Sequence, residues 1–223
     1  MNFLKPIVLS LLLTCTSVLA DCNDMFLNKY LPNVSYDKVL CYKEYTVLYN
    51  YKYKIPMISA EHLTPSEVTS SMSIKRKDAF HVDSAIPGVS NQKISSYVNT
   101  GYDKGHMTPA GDMSTVPAQF DSFSMANMTP QAKKLNEIAW RKIETQVRND
   151  VLKNGAAYIL TGSIVQTSKV LNDGIVIPDY IFKAVYFSPS NSKVYVAENN
   201  NSMNYKIMST TEFQSIYGIV LFN

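Results

Sequence analysis

The sequence is poor in the residues that make ready-built metal and redox sites: its 223 residues include three cysteines, three histidines and one tryptophan. Structural zinc needs four Cys or His ligands at metal spacing. His62, His81 and His106 stand isolated, so a tetrahedral zinc centre is excluded. Long apolar runs are also missing. Past residue 20 no stretch approaches the roughly 18 apolar residues that suggest a membrane span, and the remainder is expected to be soluble. A large charge excess is absent too. The formal sum is +3, which suits a polyanionic partner but does not by itself identify one. With neither internal repeat nor linker, residues 21–223 are expected to form a single domain.

The first twenty residues read as a signal peptide: Lys5, the apolar run Ile7 to Leu13, then Ser17-Val18-Leu19-Ala20 before Asp21. The run is too short to cross a membrane, and the small residues suit cleavage after Ala20. A periplasmic or extracellular protein is the expectation. Cleavage removes Cys15 and leaves Cys22 and Cys41, and two cysteines in an exported chain are more often a disulfide than free thiols. A loop of that size, once closed, stabilises by roughly 3 kcal/mol.

Tyr45, Val47, Tyr49, Tyr51, Tyr53 and Ile55 alternate with more polar residues, predicting one strand ended by Pro56. Its tyrosines could stack bases, but sheet core is the expected use. Ile58 to Leu63 is a second strand candidate, and Ser84 to Asn99 a loop. The longest helical pattern runs from Pro130 to Asn154, with Leu135, Ile138, Ala139, Ile143, Val147 and Val151 as its apolar stripe. Thr129 would cap it, with Pro130 at the first helical position. Ala157 to Ile164 and Ile175 to Val176 are strand candidates, and Tyr180 to Ala197 reads as a hairpin. Ser209-Thr210-Thr211-Glu212 is a capping-box signature opening a short last helix, closed by Gly218. One long helix among hairpins predicts an α+β fold with an antiparallel sheet.

The chemistry concentrates in Gly101-Tyr102-Asp103-Lys104-Gly105-His106-Met107-Thr108-Pro109-Ala110-Gly111-Asp112-Met113, followed by Asn127-Met128-Thr129-Pro130-Gln131 and the long helix. Glycines beside Asp103 and His106 permit positive φ and close backbone approach. An imidazole for proton transfer, oxygen ligands for a hard cation and an arginine for phosphate are together the parts of phosphodiester hydrolysis. On the helix, Asn136, Trp140 and Glu144 fall roughly along one face, with Arg148 one turn further on.

Asp103-Lys104-Gly105-His106 resembles the Asp-Arg-Gly-His motif of the DNA/RNA non-specific endonucleases, the ββα-metal nucleases that include secreted bacterial nucleases and endonuclease G. The resemblance continues through Asn127 to Gln131, Leu135-Asn136 and Trp140 to Glu144. It implies a ββα-metal fold and hydrolysis of DNA and RNA to 5′-phosphate ends. His106 matches the general base. Asn136 matches the direct protein ligand of a hydrated Mg²⁺, for which Mn²⁺ could substitute. Glu144 would hold metal-bound waters or keep Arg148 in place. Arg76 is the best match to an arginine on the scissile phosphate, with Lys77 the alternative. Lys104, Asp103 and Asn127 are carried over as substrate-binding residues. Lys104 stands where arginine is usual, which loses the planar fork that grips phosphate. A protein inhibitor is a further expected partner. The rival from another class is a decayed nuclease fold that binds nucleic acid without cutting it.

Overall fold

The computed structural model describes residues 22–223. The signal-peptide reading of residues 1–20 lies outside them. Seven antiparallel strands form the main sheet: β1 (Lys38–Cys41), β2 (Thr46–Asn50), β3 (Ile55–Leu63), β6 (Ala157–Ile164), β7 (Tyr180–Ser188), β8 (Asn191–Glu198) and β9 (Tyr205–Met208), in that spatial order. The chain leaves the sheet between β3 and β6. There it makes α1 (Pro65–Ser71), the strand β4 (Tyr102–His106), α2 (Val116–Ser122), the strand β5 (Met128–Ala132) and α3 (Arg141–Asn154). Strands β4 and β5 form a separate two-stranded ribbon. A last helix, α4 (Thr210–Tyr217), follows β9.

Both sheet faces are covered, which is why β2 and β3 are buried along nearly their whole length rather than in alternation. On one face Trp140 just before α3, Ile143, Val147 and Val151 of α3 and Val68 of α1 pack with Ile159, Ile181 and Val185. On the other, Phe213 of α4 and Phe26 meet Leu48, Ile58 and Phe182. Gly162 of β6 has a reason in this packing, because a Cβ there would strike the ring of Phe182. Cys22 and Cys41 are joined by a disulfide, with Cα atoms 5.3 Å apart, tying the N-terminal turn to β1.

Several boundaries differ from those the sequence predicts. The tyrosine stripe is not one strand. Tyr51 to Lys54 form the turn between β2 and β3, with Lys54 at φ 57°, and Pro56 lies inside β3 opposite Tyr49 at a register shift. Tyr45 and Tyr49 are fully buried, so they serve the core and not base stacking. Thr129 and Pro130 do not cap the long helix. They belong to β5, where Lys104 faces Pro130 and His106 faces Met128. A two-stranded ribbon leaves proline's missing N–H at no cost on its free edge. Ile175 and Val176 make only an isolated bridge, Val170 with Val176. The capping box before α4 forms as expected on its Ser209 side, whose hydroxyl accepts from the Glu212 N–H at 3.1 Å.

The long helix holds one irregularity that bears on the site. Leu135–Trp140 is a π turn running without a break into α3. A π turn carries an extra residue and so resets which side chains share a face. Trp140 consequently turns into the core, while Ile138, expected in the apolar stripe, is driven out to the surface. Asn136 and Glu144 end up facing one cleft together.

Candidate active site

The ribbon and the long helix enclose an open cleft of about 760 Å³. Its walls carry His106, Asp103 and Lys104 from β4, Asn136, Glu144 and Arg148 from the helix, and Arg76 from the loop after α1. The structure thus brings these seven sequence-predicted residues into one place. It does not bring Asn127 there. Asn127 is fully buried, and its side chain clamps the backbone beyond His106. Its Oδ1 accepts from Thr108 N–H at 3.0 Å, and its Nδ2 donates to the carbonyls of Thr108 at 2.8 Å and Ser122 at 2.9 Å. The expected substrate contact is therefore a positioning residue, with no polar atom left for a ligand.

His106 ends β4, where Met107 N–H donates to the Asn127 carbonyl at 2.9 Å and fixes the turn out of the strand. The imidazole packs edge-on against Phe123, with centroids 4.8 Å apart, and beside Phe80 at 5.9 Å. Its Nε2 is buried with no hydrogen-bond partner among the described residues. Burial, reinforced by the Arg76 guanidinium and only partly opposed by Asp78, pushes its pKa down to about 3. The ring is therefore neutral at any physiological pH, the state a base requires. Gly105 precedes it because a Cβ there would collide with the buried side chain of Gln131.

Cationic groups ring the imidazole. Arg76 lies over the Phe123 ring at 5.2 Å and pairs with Asp78 at 2.8 Å. Lys104 sits 4.8 Å from the Phe80 centroid and 5.8 Å from that of Tyr97. Two aromatic faces thus hold the shorter head group where the family motif has arginine. Arg148 donates to Asp112 at 2.6 Å and to the Thr145 hydroxyl at 3.2 Å. Its ion-pair partner is thus Asp112 rather than the Glu144 one turn earlier. Burial raises the pKa of Glu144 to about 7, with Lys183 and Arg148 pulling the other way and Asp112 adding to the rise.

A hard divalent cation fits the donors present. The Asn136 amide donates from Nδ2 to Asp103 at 3.0 Å, which fixes its orientation and leaves Oδ1 as the atom available to a ligand. Among the described residues no group of three or more His, Cys, Asp or Glu side chains is placed to hold a metal. A cation here would be held by one amide oxygen and mostly by water, as magnesium prefers.

Sequence reasoning did not assign Asp112, Phe80 or Phe123, and missed the buried pair of strand residues Glu61 and Lys183. Asp112 stood inside the motif stretch and could have been tied to Arg148. Glu61 gives no signal in a run read only as a strand. Burial, with Asp112 next, pushes its carboxyl well above the ordinary glutamate range.

A ribbon and a helix gripping one cleft, with a neutral histidine at the ribbon's end and an asparagine on the helix, define the ββα-metal class of site. The chain belongs to the DNA/RNA non-specific endonuclease family, whose model matches residues 23–218. It is 26% identical over 165 residues to Nuclease C1 of Cunninghamella echinulata var. echinulata, covering 68% of this chain and 66% of that protein. It is 30% identical over 129 residues to the mitochondrial nuclease of Saccharomyces cerevisiae, covering 57% and 39%. Mitochondrial endonuclease G of Caenorhabditis elegans is 24% identical over 173 residues, covering 71% and 56%. The chain thus spans between 39% and 66% of the length of these relatives. A chain from the crystal structure of the EndoG/EndoGI complex superposes with a TM-score of 0.76 at 20% identity, covering 93% of this chain and 95% of that one. That likeness fixes the fold.

Proposed function

We propose that this protein is an exported, magnesium-dependent endonuclease that hydrolyses DNA and RNA with little sequence preference, leaving 5′-phosphates. The observation that carries the reading is the neutral, ring-packed His106 at the wall of a cleft that also presents Asn136 and four cationic side chains, Arg76, Lys104, Arg141 and Arg148. His106 takes the proton from the attacking water. A base with a pKa of about 3 is always free but weak. An anionic phosphate beside Arg76 offsets the charge that depresses the imidazole, so substrate itself strengthens the base. Arg76, Lys104 and Arg148 neutralise the phosphate as negative charge builds in the transition state. Asp103 aims the Asn136 amide, and Glu144 orders water at the floor of the cleft. A magnesium ion on Asn136 would supply further charge neutralisation, and Mn²⁺ would substitute as another hard cation.

Export rests on the apolar leader and on a disulfide suited to an oxidising compartment. No helix among the described residues is long and apolar enough to cross a membrane. A protein inhibitor docking at the cleft mouth is a further proposal, supported by the shared fold with a chain solved in an inhibitory complex. Incubating the protein comprising residues 21–223 with supercoiled plasmid and with RNA, with Mg²⁺ and with EDTA, tests the function. Cutting of both substrates that stops in EDTA is expected. Binding without cutting in Mg²⁺ or Mn²⁺ would establish the decayed-nuclease alternative.

A further inference from the structure

Beyond the cleft, a second pair of rings continues the aromatic row that surrounds His106. His81 and Phe120 stack with centroids 4.5 Å apart and planes 7° from parallel. Each ring is the chain neighbour of a site ring. His81 follows Phe80, which lines the cleft, and Phe120 stands one helical turn before Phe123, which touches both His106 and Phe80. The stack is held in place from both sides. His81 N–H donates to the Phe123 carbonyl at 3.3 Å, Met125 N–H donates to the His81 carbonyl at 2.8 Å, and the His81 Nδ1 lies 2.9 Å from the Ala79 carbonyl. Yet Phe120 remains 51% exposed, and Val116, one turn earlier on α2, is 70% exposed. A large ring fixed in orientation but open to water is an unusual use of phenylalanine, since burial is its ordinary gain.

The charge beside this platform is basic. Lys77 N–H donates to the Gln119 side chain at 3.1 Å, which lays the Lys75-Arg76-Lys77 run against α2 next to Phe120. Acidic groups on this side are Asp121, on which Lys43, His81 and Asp83 act, and Asp78, which pairs with Arg76 and leaves Lys75 and Lys77 as further cations of the run. Aromatic faces interleaved with cations are what a single-stranded nucleic acid requires: cations track its phosphates and its bases stack.

We infer that the His81–Phe120 stack is a base platform, receiving one unpaired base of the substrate strand at a fixed offset from the phosphate held beside His106 and Arg76. The inference rests on the nuclease reading of the same cleft. It makes the enzyme indifferent to base identity, because every base offers a π face, but sensitive to whether a base is present and unpaired. Single strands and melted segments are cut in preference to intact duplex.

The test is a cleavage map of an end-labelled single-stranded oligonucleotide carrying one abasic nucleotide, cut by wild type, Phe120→Ala and Phe120→Trp. For wild type and Phe120→Trp, cutting should fall about fivefold at one phosphate a fixed distance from the abasic position, the low end of what a stacked base contributes. Phe120→Ala should show no such dip, cutting every phosphate about as slowly as wild type cuts at the dip, and should melt within a few degrees of wild type. A dip of equal depth in Phe120→Ala, or none in wild type, overturns the platform and leaves the nuclease reading standing. A wild-type protein that cuts no nucleic acid overturns both.

Discussion

At the scale of single residues, His106 and Glu144 have pKa values shifted in opposite directions, and that opposition is measurable without substrate. Unfolded His106 takes up a proton near pH 6.5, whereas the folded imidazole resists protonation down to about 3. The unfolded chain therefore binds more protons across that window, and stability is lost as pH falls through it. Glu144 does the reverse. It keeps its proton in the folded state up to about pH 7, against 4.5 unfolded, so it costs stability as pH rises across that interval. In EDTA, His106→Gln should gain stability relative to wild type as pH is lowered from 6.5, by about 1 kcal/mol per pH unit. Glu144→Gln should gain relative to wild type as pH is raised from 4.5 to 7. Melting curves at three pH values decide, and parallel curves for all three proteins would contradict both assignments. Lys104 carries a separate expectation. Lys104→Arg should lower KM about fivefold at low salt, the scale of one charge-assisted hydrogen bond. The gain should shrink as salt rises, because phosphate contacts compete with counterions. If Lys104→Ala matches wild type at every salt concentration, the ammonium over Phe80 and Tyr97 does not touch phosphate.

At the scale of elements, the ribbon and the π turn aim the site. Gly105→Ala drives a methyl into buried Gln131. It should lower stability by about 1–3 kcal/mol, as overpacking does, and disturb His106 next to it. Adding Gln131→Ala should restore much of the stability, and a double variant no better than the single would show that the clash is not the cause. The π turn is tested by removing its extra residue. Deleting Ile138, which is surface-exposed, should leave a folded protein with an ordinary helix. Asn136 and Glu144 would then stand seven residues apart, about two turns of an ordinary helix, so both should still face the cleft and metal-dependent cleavage should be retained. Such an insertion explains why the helix was only partly legible. Leu135, Ala139, Ile143, Val147 and Val151 were read correctly, as was Trp140 as a packing residue, whereas Ile138, read into the same stripe, is displaced to the surface by the π turn. The start of the helix was misread for a related reason. Thr129-Pro130 has the local chemistry of a cap, but pairing with β4 places it in a strand. Asn127 was misassigned because a motif asparagine looks the same whether it faces ligand or, as here, clamps Thr108.

At the scale of the whole molecule, a sheet covered on both faces provides a rigid wall beneath the helix, and the cleft opens between that layer and the ribbon. The sheet itself was visible in the sequence as hairpins and apolar runs. Its buried Glu61 and Lys183 were not, since no local pattern marks a carboxylate and an ammonium within a core. The disulfide closes the N-terminal segment onto β1 at one edge of this sheet. Its reduction should lower the melting temperature, with a loss of roughly 3 kcal/mol from the loop it closes. Two alkylatable thiols in the freshly isolated protein would show that the bond does not form in the cell. The central claim remains that His106 activates water within this cleft. Its most direct test compares single-turnover cleavage of a saturating duplex by wild type and His106→Ala, alongside their DNA affinity. The account predicts a rate at least about a hundredfold lower, the usual scale of general-base catalysis, with affinity unchanged. A variant that keeps half of the wild-type rate would contradict it.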